Sequence, residues 1–108
     1  MKLVLAVVQQ EDSAEITKQL LQDGYKVTKL KGIGGFLEES SIVLMIGVED
    51  THVPKVIGHF KSCCVSRDRY VNAMPFSPLE SVPLTYPIKV NVGGAKIFVI
   101  NVDEYHVL

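Results

Sequence analysis

The residues best suited to chemistry lie in a glycine-rich stretch between two apolar runs of the chain. Three glycines fall close together, at Gly32, Gly34 and Gly35. Glycine lets another molecule approach the main chain, and successive main-chain amides in such a loop can hold a phosphate. Phe36 follows directly, and it could stack on a nucleobase or pack on a neighbouring subunit. Taken alone, the stretch fits either a ligand-binding loop or a plain connection between strands.

Charged residues flank the glycine-rich stretch and bear on the ligand that it could take. Lys26 and Lys29 precede it and could add positive charge beside a phosphate. Glu38 and Glu39 follow Phe36, and two carboxylates near a bound phosphate would repel it. The pattern therefore allows an anionic ligand, with opposing contributions on the two sides of the loop.

Histidines and cysteines in the middle of the chain form a second set of chemically capable residues. His52 and His59 are about two helical turns apart and could share a face. Cys63 and Cys64 are adjacent and lack the CxxC spacing typical of zinc sites. Solvated histidines and buried thiols need no special cause, so we predict no metal site and no cofactor. No common catalytic motif is visible, and we predict that the chain is not an enzyme.

Hydrophobic patterning predicts the elements that must position these residues. Leu3–Val8 is a continuous apolar run, typical of a buried strand. Asp12 and Glu15 have the spacing of a capping box at a helix start. A glycine that follows an amphipathic segment commonly ends a helix, so we predict a helix over residues 13–23 that Gly24 terminates.

The glycine-rich stretch falls between two predicted strands that should pair as a hairpin. Tyr25–Leu30 alternates in polarity, with Lys26 and Thr28 on one face, and Ile42–Val48 is the most apolar run of the chain. A second helix should begin at Asp50 or Thr51, with Pro54 in its first turn. Its predicted apolar face comprises Val53, Val56, Ile57 and Phe60.

The last third of the chain divides into an irregular stretch and a hairpin. Prolines and serines interrupt every pattern between Cys63 and Tyr86, so we predict no regular element there. A structureless stretch of this length is uncommon in a compact domain and is usually either functional or disordered. Ile88–Val92 and Ala95–Val102 flank Gly93-Gly94, which predicts a hairpin with a two-residue turn.

The element order predicts an α+β fold of the ferredoxin-like βαββαβ type with an additional strand in a C-terminal hairpin. Two helices would cover one face of the sheet, and another copy of the chain is the simplest cover for the other, so we expect a homo-oligomer. The 108 residues, 47% of them apolar, predict a single domain over 1–108.

Composition also indicates which kinds of partner and which cellular compartment to expect. The net charge is −1 with no basic run, which argues against binding a nucleic acid polymer. No apolar run approaches the ~20 residues that a membrane-spanning helix needs. Two adjacent cysteines do not form a disulfide framework, so we expect a cytoplasmic protein.

Short motifs along the whole chain form a recognisable set: Val7-Val8-Gln9, Asp12-Ser13, Thr28-Lys29-Leu30, Gly34-Gly35-Phe36-Leu37, Val92–Val99 and Val102–His106. In this order, and with little change in spacing, they resemble the cyclic-di-AMP receptor family of PII-like signalling proteins. The resemblance implies a homotrimer of ferredoxin-like subunits with a cyclic dinucleotide in each cleft between neighbours. It also implies a bacterial signal receiver whose long loop, within residues 65–86, changes order with ligand and acts on a downstream protein.

The resemblance carries over a set of ligand-binding positions. Those that match the family pattern are Thr28, Gly35, Phe36, Leu37 and Gly47, together with Phe98, which matches a residue near an adenine.

Four further positions depart from the family pattern. Lys26 and Ser41 stand where the family typically has Arg and Asn, so both remain candidate contacts with weaker geometry. Gly24 and Val107 stand where the family has Asn and Gln, and neither can offer a side-chain hydrogen bond.

The departures leave two alternatives to a cyclic-di-AMP receptor. One is a PII-like trimer that binds another adenine nucleotide, such as ATP or AMP, or only a protein partner. The other is a trimeric copper- or zinc-binding relative of the same fold that uses His52, His59 or Cys63.

Overall fold

The fold is α+β, and the computed structural model describes residues 1–31, 41–73 and 86–108. The predicted contacts at Gly35, Phe36 and Leu37 lie outside these described residues. The elements are β1 (Lys2–Gln9), α1 (Gln10–Gln22), β2 (Thr28–Lys31), β3 (Ser41–Val48), a 3₁₀ turn (Asp50–His52), α2 (Val53–Cys63), β4 (Arg67–Ala73), β5 (Tyr86–Val92) and β6 (Ala95–Asn101). No helix among the described residues is long and apolar enough to cross a membrane.

The main sheet has four antiparallel strands in the order β2-β3-β1-β6. Strands β2 and β3 pair on either side of the glycine-rich stretch, as predicted, with Thr28 opposite Met45. Leu3 of β1 lies opposite Gly47 of β3. Two helices and this strand order are compatible with a ferredoxin-like fold.

The hydrophobic core lies between one face of this sheet and the two helices. Successive side chains of a strand point to opposite faces, so every second residue of β1 and β3 is buried. The helices contribute the predicted face of α2, of which Val56 and Phe60 are fully buried, and the inner side of α1. The core comprises Val4, Ala6, Val8, Ile16, Leu20, Ile42, Leu44, Ile46, Val48, Val56, Phe60 and Cys64.

The opposite face of the sheet, here called the open face, is apolar, and no described residue covers it. Phe98 is 55% exposed, Ile100 45% and Leu30 47%. The strand register puts them on the same side as Leu5 and Met45. An exposed apolar surface of this kind is typical of interaction sites, and the homo-oligomer that would cover it stays a prediction.

Helix α1 begins earlier than the capping-box pattern predicted. It starts at Gln10, and its N-cap residue, Gln9, makes no side-chain cap hydrogen bond. Asp12 is instead buried inside the helix and paired with Arg67, a tertiary contact that local spacing cannot show. The end of the helix is as predicted, because Gly24 has a φ of 88° and its N–H donates to the Leu21 carbonyl at 3.0 Å.

Strand β2 is shorter than predicted and begins at Thr28 rather than at Tyr25. The N–H of Tyr25 donates to the Leu20 carbonyl at 3.0 Å, so this residue still belongs to the turn after α1. The second helix is preceded by the 3₁₀ turn, and Pro54 lies in its first turn as predicted.

The prediction of no regular structure between Cys63 and Tyr86 is wrong for β4. Strands β4 and β5 pair antiparallel, with Arg67 opposite Val92, and form a separate two-stranded sheet, here called the ribbon. Strand β4 has no alternating apolar pattern, so main-chain pairing and charges hold it, including an ion pair of 3.2 Å between Lys89 and Asp68.

The prediction that Ile88–Val92 and Ala95–Val102 pair as a C-terminal hairpin is also wrong. Strand β6 pairs with β1, and β5 pairs with β4, so the two runs beside the glycine pair belong to different sheets. Gly93 and Gly94 have φ values of 82° and 79° and connect the ribbon to the main sheet. Pairing with β1 lets Ile97 pack against the core, a gain that a two-stranded hairpin could not offer.

Candidate functional site

A cavity of about 640 Å³ lies where β1 begins and β3 ends. The register of the main sheet explains which residues meet there, because Leu3 lies opposite Gly47 and Thr28 opposite Met45. The segment between α1 and β2 forms another wall. The lining residues are Met1, Leu3, Gly24, Tyr25, Lys26, Thr28, Met45, Gly47, Val48, Glu49, His52, Val102 and Tyr105.

The turn after α1 determines which side chains of its connection to β2 reach the cavity. Gly24 takes the left-handed backbone that ends the helix, and the chain then alternates toward β2. Tyr25 and Val27 pack against the core, whereas Lys26 and Thr28 are exposed. The alternation predicted from the sequence is therefore correct, and it leaves an ammonium and a hydroxyl on the solvent side.

Tyr25 and His52 form a hydrogen-bonded aromatic pair in the cavity wall. The Tyr25 hydroxyl lies 2.9 Å from His52 Nδ1. The two rings meet edge to face, with centroids 5.7 Å apart and planes at 78°. The pair joins the segment before β2 to the 3₁₀ turn before α2, two elements that the chain separates widely.

Charged groups of both signs surround the cavity. Lys26 and His52 can carry positive charge, and Glu49 carries negative charge. The N-terminal ammonium of Met1 is bound to the Asp50 carboxylate at 3.1 Å. That hydrogen bond lowers the pKa of Asp50 below its ordinary value. The ammonium thus already has an anionic partner, whereas Lys26 makes no ion pair with any residue that the structure describes.

Two glycines lie in the wall of the cavity. A Cβ at Gly24 would meet no atom of the described residues within 4 Å, so the space beside it is open. A Cβ at Gly47 would lie 2.9 Å from Met1 Cε, the flexible end of a side chain. A side chain at Gly24 would therefore enter open space, whereas one at Gly47 would displace the end of Met1.

The structure brings together some of the sequence-predicted contacts and separates others. Lys26, Thr28 and Gly47 line one cavity. Ser41 lies at the far end of β3 from Gly47, ~20 Å away at ~3.3 Å per residue. Phe98 lies on the open face, opposite Leu5, and does not line the cavity.

Sequence reasoning missed the aromatic and acidic part of the cavity. Tyr25 was expected only as a strand residue, His52 only as a possible metal ligand, and Glu49 and Tyr105 had no assigned role. No local pattern links Tyr25 to His52, because their contact depends on how α1 and the 3₁₀ turn pack.

The surroundings of His59 and of Cys64 indicate structural roles. His59 Nε2 lies 2.6 Å from Asp23 Oδ2, and this hydrogen bond lowers the pKa of Asp23. Burial raises the pKa of the Cys64 thiol to about 12, which keeps it protonated. Within residues 1–31, 41–73 and 86–108, no three His, Cys, Asp or Glu side chains are placed to hold a metal ion.

A group of polar contacts, here called the ribbon clamp, ties the ribbon to the junction of β1 and α1. Arg67 Nη2 lies 3.1 Å from Asp12 Oδ1, and Arg69 Nη1 lies 2.8 Å from Glu11 Oε2. The N–H of Gly93 donates to Gln9 Oε1 at 2.7 Å. The clamp therefore joins β4 and the residue after β5 to the end of β1 and the first turn of α1.

The ribbon clamp contains a buried carboxylate. Asp12 is only 7% exposed, and its Oδ2 has no hydrogen-bond partner among the described residues. The hydrogen bond to this carboxylate raises the pKa of Arg67. A buried carboxylate is stable as an ion only while such a partner stays in place, so Asp12 favours one position of the ribbon.

Two comparisons with known proteins bear on the identity of the chain. A family model described as a cyclic-di-AMP receptor matches residues 1–108. The fold is also similar to the crystal structure of a functionally unknown protein from Pediococcus pentosaceus. That protein is 34% identical in sequence, the match covers 99% of this chain and 96% of that chain, and the TM-score is 0.74.

Proposed function

Because the chain belongs to the cyclic-di-AMP receptor family, we propose that it is a PII-like receptor for cyclic-di-AMP. The receptor is a homotrimer of single-domain subunits, residues 1–108, in the bacterial cytoplasm. It is not an enzyme. Ligand binds at clefts between subunits and rearranges the segment 65–86, which then acts on a downstream protein. The observation that carries this proposal is the cavity that unites Lys26, Thr28 and Gly47.

The chemistry of the cavity suits a phosphate-bearing ligand with flat apolar bases. Lys26 supplies an ammonium and Thr28 a hydroxyl, and both are exposed. Gly47 has no side chain, and the group that lies over its Cα is the flexible end of Met1, which a ligand could displace to approach the main chain of β3. Tyr25 and Tyr105 add aromatic surface, on which a base can stack.

A second copy of the chain completes the proposed site. Ser41 and Phe98 lie outside the cavity of their own subunit, so one bound nucleotide cannot touch all predicted contacts within one copy. The open face offers the apolar surface that such an association needs, with Phe98 and Ile100 about half exposed. The same contact between subunits would therefore cover the open face and complete the ligand site.

A receptor for a different adenine nucleotide, such as ATP or AMP, is the second candidate. The empty space beside Gly24 favours it, because the family amide that would project there is absent. A hydrogen bond to a charged group contributes ~1.5–3 kcal/mol, so the loss of two such bonds lowers affinity about a hundredfold or more.

The test is titration calorimetry on Lys26→Gln with Lys29→Gln as the matched control. Both lysines are exposed, but Lys29 does not line the cavity. Lys26→Gln should lower the affinity for cyclic-di-AMP at least ~10-fold, the loss of one charged hydrogen bond. Lys29→Gln should leave it unchanged. Equal affinities for the two variants would remove the cavity from the proposed function.

A further inference from the structure

The Tyr25–His52 pair lies in the proposed nucleotide cavity, and no motif or family position accounts for it. His52 is exposed and lines the cavity, and Tyr25 is partly buried against the core. A hydrogen bond of 2.9 Å at Nδ1 holds the histidine ring against an anchored tyrosine. The protein therefore occupies one ring nitrogen, and the other, Nε2, has no hydrogen-bond partner within residues 1–31, 41–73 and 86–108.

The charged groups around the cavity indicate that His52 would meet an anionic ligand. Among the described residues that line it, Lys26 and His52 are the side chains that can be cationic. The Met1 ammonium is bound by Asp50, and Glu49 is an anion. An anionic group that enters the cavity therefore meets positive charge from one lysine and, when it is protonated, from one histidine.

We propose that His52 is a phosphate-contacting residue of the nucleotide site, held in position by Tyr25, and that its protonation strengthens ligand binding. The inference rests on the proposed function and adds a specificity residue with a pH response. His52 donates through Nε2 to a phosphate oxygen. A protonated ring also gives up its acceptor at Nδ1, so the tyrosine hydroxyl then accepts from it.

Binding of a phosphate and protonation of His52 strengthen each other in this proposal. A phosphate stabilises the imidazolium, so an imidazolium must stabilise the bound phosphate by the same free energy. Histidine changes charge between about pH 5 and pH 8. His52 is the histidine among the described residues that line the cavity. The other titratable groups there are Lys26, Tyr25, Tyr105, Glu49, Asp50 and the Met1 ammonium.

The experiment is calorimetric titration with cyclic-di-AMP at about pH 6 and about pH 8, in two buffers of different ionisation enthalpy. A phosphodiester keeps one charge over this range, so the ligand itself adds no titration. The wild type should bind about two- to fivefold more tightly at the lower pH, as expected for an exposed ion pair, and should take up protons. His52→Gln should abolish both effects.

Two further variants separate His52 from a general effect of acidity. His106→Gln removes a histidine that lies 4.0 Å from Glu104 and outside the cavity lining, and it should keep the pH response. Tyr25→Phe keeps the ring but not the hydroxyl, so it should weaken binding at both pH values while the response remains. A response that survives His52→Gln overturns the inference.

Histidine resonances of the wild type provide a test that needs no variant. Addition of cyclic-di-AMP should shift the ring signals of His52 and leave those of His59, which is held by Asp23, unchanged. A His52 ring that does not respond to saturating ligand overturns the inference and leaves the proposed function intact. Absence of any binding to the folded protein at both pH values overturns both.

Discussion

Replacement of Gly93 by Ala should displace the ribbon, whereas the same change at Gly94 should not. Both glycines have a positive φ, 82° and 79°, so both substitutions place a Cβ in a left-handed backbone. Their surroundings differ. A Cβ at Gly93 would lie 2.3 Å from the Val65 carbonyl oxygen and 2.5 Å from Arg67 Nη1. A Cβ at Gly94 would lie 3.6 Å from the nearest atom, Ser66 Cβ.

The expected magnitudes follow from these distances. A left-handed backbone costs a non-glycine residue ~1–2 kcal/mol. Gly94→Ala should lower the free energy of unfolding by that amount. Gly93→Ala adds an overlap with main-chain atoms, and overpacking of this kind costs a further ~1–3 kcal/mol. The overlap can be relieved only by moving Val65 or Arg67, so it also strains the bond between Arg67 and Asp12 in the ribbon clamp.

Chemical denaturation and hydrogen exchange measure the two effects separately. Denaturation should rank the variants as wild type, Gly94→Ala and Gly93→Ala in order of decreasing stability. Exchange of the β4 and β5 amides should accelerate in Gly93→Ala and stay close to wild type in Gly94→Ala, because only the first loosens the ribbon clamp. Equal stability and equal exchange in the two variants would refute the steric argument.

Three further variants test other parts of the structure. Gly24→Asn should fold normally, because its Cβ meets no atom and Asn tolerates a left-handed backbone, and it should raise nucleotide affinity about 10-fold in calorimetry. Asp23→Asn should remove part of the acid sensitivity of folding. Because the pKa of Asp23 in the folded protein lies below the ordinary value of 3.8, its carboxylate stabilises the fold at pH values above 3.8. This contribution is lost as the pH falls from 3.8 through the lowered pKa, and denaturation measured as a function of pH reports the loss. Phe98→Glu should yield folded monomers by sedimentation, because it places a charge on the open face.

Gly24→Asn has a matched control, and each of the three predictions has an outcome that would contradict it. Gly24→Ala has the backbone strain of Gly24→Asn without the amide, so a gain in affinity by both would contradict a hydrogen-bond explanation. An Asp23→Asn curve that parallels the wild type below about pH 4 would remove the role of its bond with His59. Unchanged assembly of Phe98→Glu would exclude the open face as the subunit contact.

Local patterns predicted the parts of the fold that local chemistry determines. The end of α1 at Gly24 and the position of Pro54 each depend on a few adjacent residues, and both predictions are correct. The predicted pairing of β2 with β3, two runs that follow each other along the chain, is also correct. The turn at Gly93-Gly94 shows the limit of such patterns. The two glycines do adopt positive φ, but strand pairing depends on which edge buries more apolar surface, and β6 pairs with β1.

The same distinction holds for the candidate site. Lys26, Thr28 and Gly47 came from the family resemblance, and the register of β1, β2 and β3 brings them to one cavity. Tyr25 and His52 could not be paired from the sequence, since their contact joins two separate elements. The role of Asp12 was assigned to a helix cap because its partner, Arg67, lies on a strand without an apolar pattern.

The most direct test of the central claim is a titration of the purified protein with cyclic-di-AMP, with its mass in solution measured in parallel. The account predicts a trimer that binds about one cyclic-di-AMP per subunit at micromolar affinity or better, with ATP and AMP binding more weakly. A folded trimer that takes up ATP or AMP but not cyclic-di-AMP would contradict the proposed ligand and favour the second candidate.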